Sequence, residues 1–297
     1  MLYYFYCEIR MLFFRKAILT LLFVLLDVFH EQDAKNNHLR RNGVINKMKH
    51  EMIIKGKSIG MGKPLICVPI MDKKKENIVA EAKRLIDLGV EMVEWRVDAF
   101  EQVNSLNAIR EVLAELKPIV KNTILLYTFR SREQGGMCEM SYEKMYDLHQ
   151  AAAETGVVDL VDVEYFKDDN VDKEIRTLQK MGVKVITSHH DFYETPQDNI
   201  IFILLEQMAA SGTDIVKLAV MPQCTEDVLT LLFETNRFHK EYPELPLITM
   251  SMGKLGAISR ISGETFGSCV TFGAGKNASA PGQIPIENLK GILETLH

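Results

Sequence analysis

From residue 64 onward, short β-branched apolar runs alternate with longer stretches whose apolar residues recur every three or four positions. The runs at 65–70, 92–97, 123–130, 160–166, 184–190, 214–221, 247–252 and 268–272 predict eight strands. Helices are predicted between them around 76–88, 104–116, 141–155, 171–181, 197–210, 225–239 and 285–296, with a shorter one near 255–261. Gly89, Gly156, Gly182 and Gly212 stand where helices should stop, at the left-handed position glycine fills most cheaply. Strict alternation of strand and helix implies a parallel sheet, and eight such units in about 230 residues imply a (β/α)8 TIM barrel. A doubly wound open sheet is the alternative, but no GxGxxG follows the first strand, so a dinucleotide-binding version has little support.

The first fifty residues differ. Arg15 and Lys16 precede an apolar block at 17–26 that Asp27 and His30 close, and a polar stretch at 31–49 follows. The block is shorter than the roughly 20 residues a membrane helix needs, and no small-x-small cleavage site follows it. A membrane anchor, an export signal and sequence upstream of the true start compete; the last is favoured, with Met48 or Met52 beginning a compact domain. Residues 1–55 are therefore expected to be an N-terminal extension and 56–297 a single barrel domain.

Composition narrows the function. With 47% hydrophobic and 25% charged residues the chain has enough apolar mass for a large core, and a net charge of −5 without a basic stripe argues against nucleic acid. Five scattered cysteines without metal-ligand spacing predict a reducing compartment, the cytoplasm, and a metal-free protein. Membrane association is not expected.

The expected strand ends carry the chemistry, because a (β/α)8 barrel places its active site at the C-terminal mouths of its strands. Glu94, Arg96 and Asp98 alternate along the second strand, Arg130 ends the third, Asp162 and Glu164 share a face of the fourth, and His190 ends the fifth. Lys217 lies inside the apolar run of the sixth. Burial there disfavours the ammonium and makes a neutral amine accessible for attack on a carbonyl. A lysine paired with a buried carboxylate, a core Glu94–Arg96 ion pair and an ordinary capped His190 are the structural alternatives.

Seven motifs in order carry a resemblance. They are Val93-Glu94-Trp95-Arg96-Val97-Asp98; Thr128-Phe129-Arg130 followed by Gly135-Gly136; Ser188-His189-His190-Asp191-Phe192 with Thr195-Pro196; and 215–222 around Lys217. The others are 248–252 with Met250 and Met252, Ile258-Ser259-Arg260, and 271–283 from Thr271 to Gln283. Over roughly residues 63–297 the chain resembles the type I 3-dehydroquinate dehydratases, Schiff-base enzymes of the shikimate pathway that feed chorismate and aromatic amino acid biosynthesis.

The resemblance implies a cofactor-free and metal-free hydro-lyase, acting on 3-dehydroquinate as a homodimer. Lys217 would be the imine-forming amine and His190 the proton-transfer group; Glu94, Arg96, Arg130, Arg260, Ser279 and Gln283 would hold substrate. Arg260 offers a bidentate fork for a carboxylate. Glu94 and Arg96 would hold ring hydroxyls and keep each other charged, while Met250, Met252 and Phe272 would wall the imine. The glycine-rich stretch at 273–282 would be a lid carrying Ser279 and Gln283. Asp162, Glu164 and Gln134 would support the site.

Two positions depart from the family pattern. Gln134 stands where a Glu precedes the Gly-Gly pair; its amide can orient His190 but cannot stabilise an imidazolium by charge, so a less basic histidine is expected. Pro69 stands where a serine often contacts substrate, and it has no hydroxyl to offer. A class I Schiff-base aldolase and a non-catalytic barrel tethered to a membrane are the competing readings.

Overall fold

The computed structural model describes residues 51–297 other than 169 and 277; the apolar block at 17–26 and the rest of 1–50 lie outside the described residues. Eight parallel strands form the barrel: β3 (Leu65–Ile70), β4 (Met92–Arg96), β5 (Ile124–Thr128), β6 (Leu160–Glu164), β7 (Lys184–His190), β8 (Ile215–Val220), β9 (Leu247–Ser251) and β10 (Val270–Phe272). Their order is β10-β3-β4-β5-β6-β7-β8-β9. A single Leu247–Ser268 bridge closes the ring, with the Cys269 N–H donating to the Leu247 carbonyl at 2.8 Å. Helices Lys75–Asp87, Leu106–Leu116, Tyr142–Glu154, Val171–Lys180, Asp198–Ala210 and Thr225–Glu241 follow β3 to β8. The short pair Ala257–Ile261 and Gly263–Phe266 follows β9, and Ile286–Leu296 follows β10.

The architecture is the expected one, but three strands are cut short by turns. Those predicted at 92–97, 123–130 and 160–166 end at Arg96, Thr128 and Glu164, because 3₁₀ turns over Val97–Ala99, Arg132–Gln134 and Tyr165–Lys167 redirect the chain soon after. Asp98 consequently sits on the first of these turns and not on β4.

Period-two alternation fills both sides of the barrel wall. Outward residues such as Val93, Trp95, Leu125, Tyr127, Val161 and Val163 pack beneath the helices. Inward residues are apolar where the strands begin, with Met92, Ile124, Leu160, Ile186 and Ile215 packed together. Two residues further along, the same inward rows carry Glu94, Asp162, Ser188 and Lys217, all buried. The site is thus the upper layer of a core whose lower layer is hydrocarbon.

A feature absent from the sequence-based expectation seals the bottom. β1 (Met52–Ile54) and β2 (Lys57–Ile59) form an antiparallel hairpin whose strands are too short to show periodicity. Lys55 and Gly56 take φ of 49° and 75° at its turn, the paired positive values of a tight hairpin. The strained lysine is held by its own ammonium, which donates to the Val120 and Thr123 carbonyls at 2.8 and 2.9 Å and to Asp159 at 2.7 Å. Ile59, fully buried, joins the lower hydrocarbon layer. Ile59→Ala is expected to cost about 2–5 kcal/mol by leaving a cavity in the floor. Chemical denaturation checks this; a loss under about 1 kcal/mol would show that the hairpin does not close the core.

Candidate active site

At the mouth, Lys217 is buried but not alone. Its Nζ donates to Asp162 Oδ2 at 2.9 Å, lies 4.0 Å from Glu94 Oε1, and stands 4.4 Å from the centre of the Phe272 ring, within cation–π range. The amine is therefore an ion-paired lysine with an aromatic wall. Asp162 reaches it past β7, from which Ser188 donates to Asp162 Oδ1 at 2.5 Å. Arg130 Nη2 donates to the same oxygen at 2.7 Å. Burial alone would raise the Asp162 pKa, but Arg130 and Lys217 outweigh it and hold the carboxyl far below the usual carboxylate range.

Arg130 lines the cavity, yet both terminal nitrogens are engaged within the protein: Nη1 donates to Glu164 at 3.1 Å and to Ser188 at 2.9 Å, and Nη2 to Asp162. Arg96 is not paired with Glu94 as expected. Its Nε and Nη2 both donate to Asp98 at 2.8 Å, because the 3₁₀ turn after β4 brings that carboxylate back beside the guanidinium. Glu94 instead accepts from Thr128 Oγ1 at 2.8 Å. Asp98 also accepts from the Met137 and Arg130 N–H groups at 2.9 and 3.3 Å, so it orders the loop after β5 as well as Arg96. From the sequence Asp98 stands among the polar strand-end residues without a role, and Ser188 and Thr128 only as motif residues. The period-two rows give the signal for Ser188 and Thr128, each lying on the inward face of its strand.

That loop delivers Gln134 to His190. The His190 backbone N–H donates to Gln134 Oε1 at 2.9 Å, and the ring Nδ1 lies 3.3 Å from the same oxygen. A backbone N–H can only donate, so it fixes which end of the amide faces it; Nδ1 must then carry the proton, leaving Nε2 as the free base. The Gly-Gly pair permits this turn. A Cβ on Gly135 would meet the Phe192 ring at 2.3 Å, and one on Gly136 would meet the Arg130 carbonyl at 1.8 Å. Burial first, then Arg130 and Lys217, push the His190 pKa well below its ordinary value, so the imidazole is neutral at neutral pH.

One cavity of about 40 Å³ gathers these groups. Its lining includes Glu94, Arg96, Arg130, Gln134, His190, Lys217, Met250, Met252, Phe272, Ser279 and Gln283. Asp162 and Glu164 are not part of this lining and both pair with Arg130. Cys67 lies a layer below, its thiol pushed well up by burial and then by Glu94, which keeps it protonated. Pro69 adds no donor to the mouth. Among the described residues no group of three or more His, Cys, Asp or Glu is arranged to hold a metal ion.

Arg260 stands apart from the lining. Buried to 2% exposure, it meets Met250 Sδ at 3.9 Å, the Phe272 carbonyl at 3.5 Å and the Pro281 carbonyl at 2.9 Å, with no carboxylate among these partners. Its Nε has no partner, and burial pushes its pKa down to about 10. A buried guanidinium with unused donors just behind the Met250 and Phe272 wall suits an incoming anion.

Fold and mouth together define a (β/α)8 enzyme organised around an ion-paired lysine and a neutral histidine. The sequence matches the type I 3-dehydroquinase family over residues 66–297, and the chain belongs to that family. It is 46% identical over 251 residues to the 3-dehydroquinate dehydratase of Clostridioides difficile (strain 630), covering 84% of this chain and 98% of that one. It is 43% identical over 253 residues to the enzyme of the same name from Klebsiella pneumoniae subsp. pneumoniae, covering 84% and 100%. Among solved structures, the type I 3-dehydroquinate dehydratase from Clostridium difficile with covalently modified comenic acid superposes with a TM-score of 0.81 at 46% identity, covering 84% of this chain and 99% of that one. The Geobacillus kaustophilus HTA426 enzyme also gives 0.81, at 33% identity, covering 83% and 96%.

Replacing Gln134 by Glu places a negative charge beside Nδ1, which favours the imidazolium. Gln134→Glu is therefore expected to raise the His190 pKa and move the acid limb of kcat/KM toward neutral pH. NMR titration of the ring checks this; an equal or lower pKa in the variant refutes it.

Proposed function

We infer that this chain removes water from 3-dehydroquinate to give 3-dehydroshikimate through an imine on Lys217, as a step of the shikimate pathway. The observation that carries the reading is that Lys217, a neutral His190 and the polar pair Ser279 and Gln283 line one cavity. The Lys217 ammonium gives a proton to the neutral His190, the freed amine adds to the substrate ketone, and His190 returns the proton to the carbinolamine hydroxyl, which leaves as water. The charge of the resulting protonated imine is balanced by Asp162 and Glu94. The imine draws electrons from the adjacent carbon, and Nε2 of His190 takes the proton there. The resulting enamine expels the hydroxyl one carbon further on as His190 returns a proton to it. Water then hydrolyses the product imine and frees the amine. Arg260 holds the substrate carboxylate, and Glu94, Arg96, Arg130, Ser279 and Gln283 surround the ring. Ser279 and Gln283 line this cavity from the loop after β10, and movement of that loop would widen it for substrate.

The enzyme works in the cytoplasm, which agrees with free Cys67, Cys138, Cys224 and Cys269. No helix among the described residues is long and apolar enough to cross a membrane. It acts as a homodimer joined through helices Asp198–Ala210 and Thr225–Glu241. Ile200, Ile203, Leu229 and Phe233 on these helices are exposed by 42%, 44%, 65% and 63%, an apolar face suited to a two-fold contact.

Borohydride reduction with 3-dehydroquinate followed by peptide mapping is expected to leave a substrate-derived adduct on Lys217. Lys217→Ala should give none; His190→Ala should still be trapped while turnover falls about 10²- to 10⁴-fold. A folded wild-type sample giving neither adduct nor enone product would remove the dehydratase reading. Sedimentation should show a dimer that Leu229→Glu with Phe233→Glu converts to monomer; a monomeric wild type would refute the interface.

A further inference from the structure

The loop at 273–285, between β10 and the last helix, is tied down at three places. At its base the Ala274 N–H donates to the Ile284 carbonyl at 2.9 Å and the Ile286 N–H to the Ala274 carbonyl at 3.1 Å. On one flank the Pro281 carbonyl accepts from the Gly253 N–H at 3.1 Å and from Arg260 Nη2 at 2.9 Å. On the other, Lys276 Nζ lies 2.8 Å from Glu81 Oε2, on helix Lys75–Asp87. Between the flanks Ser279 and Gln283 hold each other: the Ser279 N–H donates to Gln283 Oε1 at 2.7 Å, and Gln283 Nε2 donates to Ser279 Oγ at 2.9 Å. The two hydrogen bonds join them into one hook, aimed by whatever fixes the flanks.

Glu81 is only 3% exposed although its helix lies outside the barrel. Arg84 already grips both its oxygens, Nε at 2.9 Å and Nη2 at 2.6 Å, so a counter-charge is present without Lys276. What the lysine adds is a link between the helix and the loop. A pair with one buried member is screened less than a fully exposed one. The neighbouring residue is shaped for the same contact: a Cβ on Gly275 would come within 3.2 Å of both Glu81 Oε1 and Val68 Cγ1.

We propose that the Lys276–Glu81 ion pair is a latch that positions the Ser279–Gln283 hook over the cavity, making Lys276 and Glu81 positioning residues for substrate binding. The proposal rests on reading Ser279 and Gln283 as substrate-holding groups. Neither latch residue touches the reacting atoms, so weaker binding with nearly unchanged chemistry is the expected signature.

The test compares wild type, Lys276→Met and Lys276→Arg in steady-state dehydration and, without substrate, in limited cleavage of the loop by subtilisin. Lys276→Met should raise KM about 3- to 10-fold with kcat changed less than about 2-fold, and should speed loop cleavage. Lys276→Arg should restore both. Glu81→Gln, which keeps a hydrogen bond for Arg84, should shift both readouts as Lys276→Met does. Unchanged KM in Lys276→Met overturns the proposal, whether or not cleavage speeds up, and so does a raised KM that Lys276→Arg fails to restore. Absence of dehydration in wild type would sink the functional reading instead, and unchanged cleavage in Lys276→Met would then overturn the latch independently of any substrate.

Discussion

The mouth of this barrel is organised by the need to keep Asp162 charged where no water reaches it. An isolated carboxylate there would cost several kcal/mol, and only close, well-aligned donors repay that. Lys217, Arg130 and Ser188 supply them from three elements. The same contacts fix the lysine in place before any substrate arrives, the preorganisation on which catalysis by charge depends. From Asp162 the constraint spreads. Arg130 also holds Glu164, which accepts from the Ser131 N–H at 2.9 Å; Ser131 opens the turn that carries Gln134, and Gln134 meets His190. The lysine and the histidine are thus connected through one continuous set of polar contacts.

Much of this was legible in the sequence because alternation is a strong signal. A row that reads apolar and then polar at two-residue spacing, as Ile215, Lys217 and Ala219 do, places a charge on an inward face whatever its neighbours are. The motifs then linked that face to a family. What stayed hidden was local geometry. Asp98 reads as one more strand residue, and only the 3₁₀ turn after Arg96 shows that it takes the guanidinium from Glu94. The engagement of Arg130 with two carboxylates depends on which rotamers fit between three strands, which spacing does not encode. The floor hairpin escaped because three-residue strands have no period to detect.

The neutral side chain of Gln134 is intelligible within this network. A neutral amide beside Nδ1 selects the tautomer as firmly as a carboxylate would, since the His190 backbone N–H has already oriented it. It adds no negative charge to a mouth that already holds Glu94, Asp98, Asp162 and Glu164. Asp162 opposes the lowering of the His190 pKa, so an imidazolium formed during turnover would not lack a counter-charge. Orientation and charge balance are here divided between Gln134 and Asp162.

The sealed floor settles how matter passes through the molecule. Among the described residues, Ile59 and the hydrocarbon layer above it fill the end of the barrel opposite the mouth, where Lys217 lies. On the proposed pathway each cycle makes one water as the imine forms and another at elimination, and consumes one at hydrolysis. All of that traffic, with the ring entering and leaving, shares the same threshold. On that pathway substrate, product and surplus solvent take turns at the mouth, and the water released at elimination leaves by the way the ring came in.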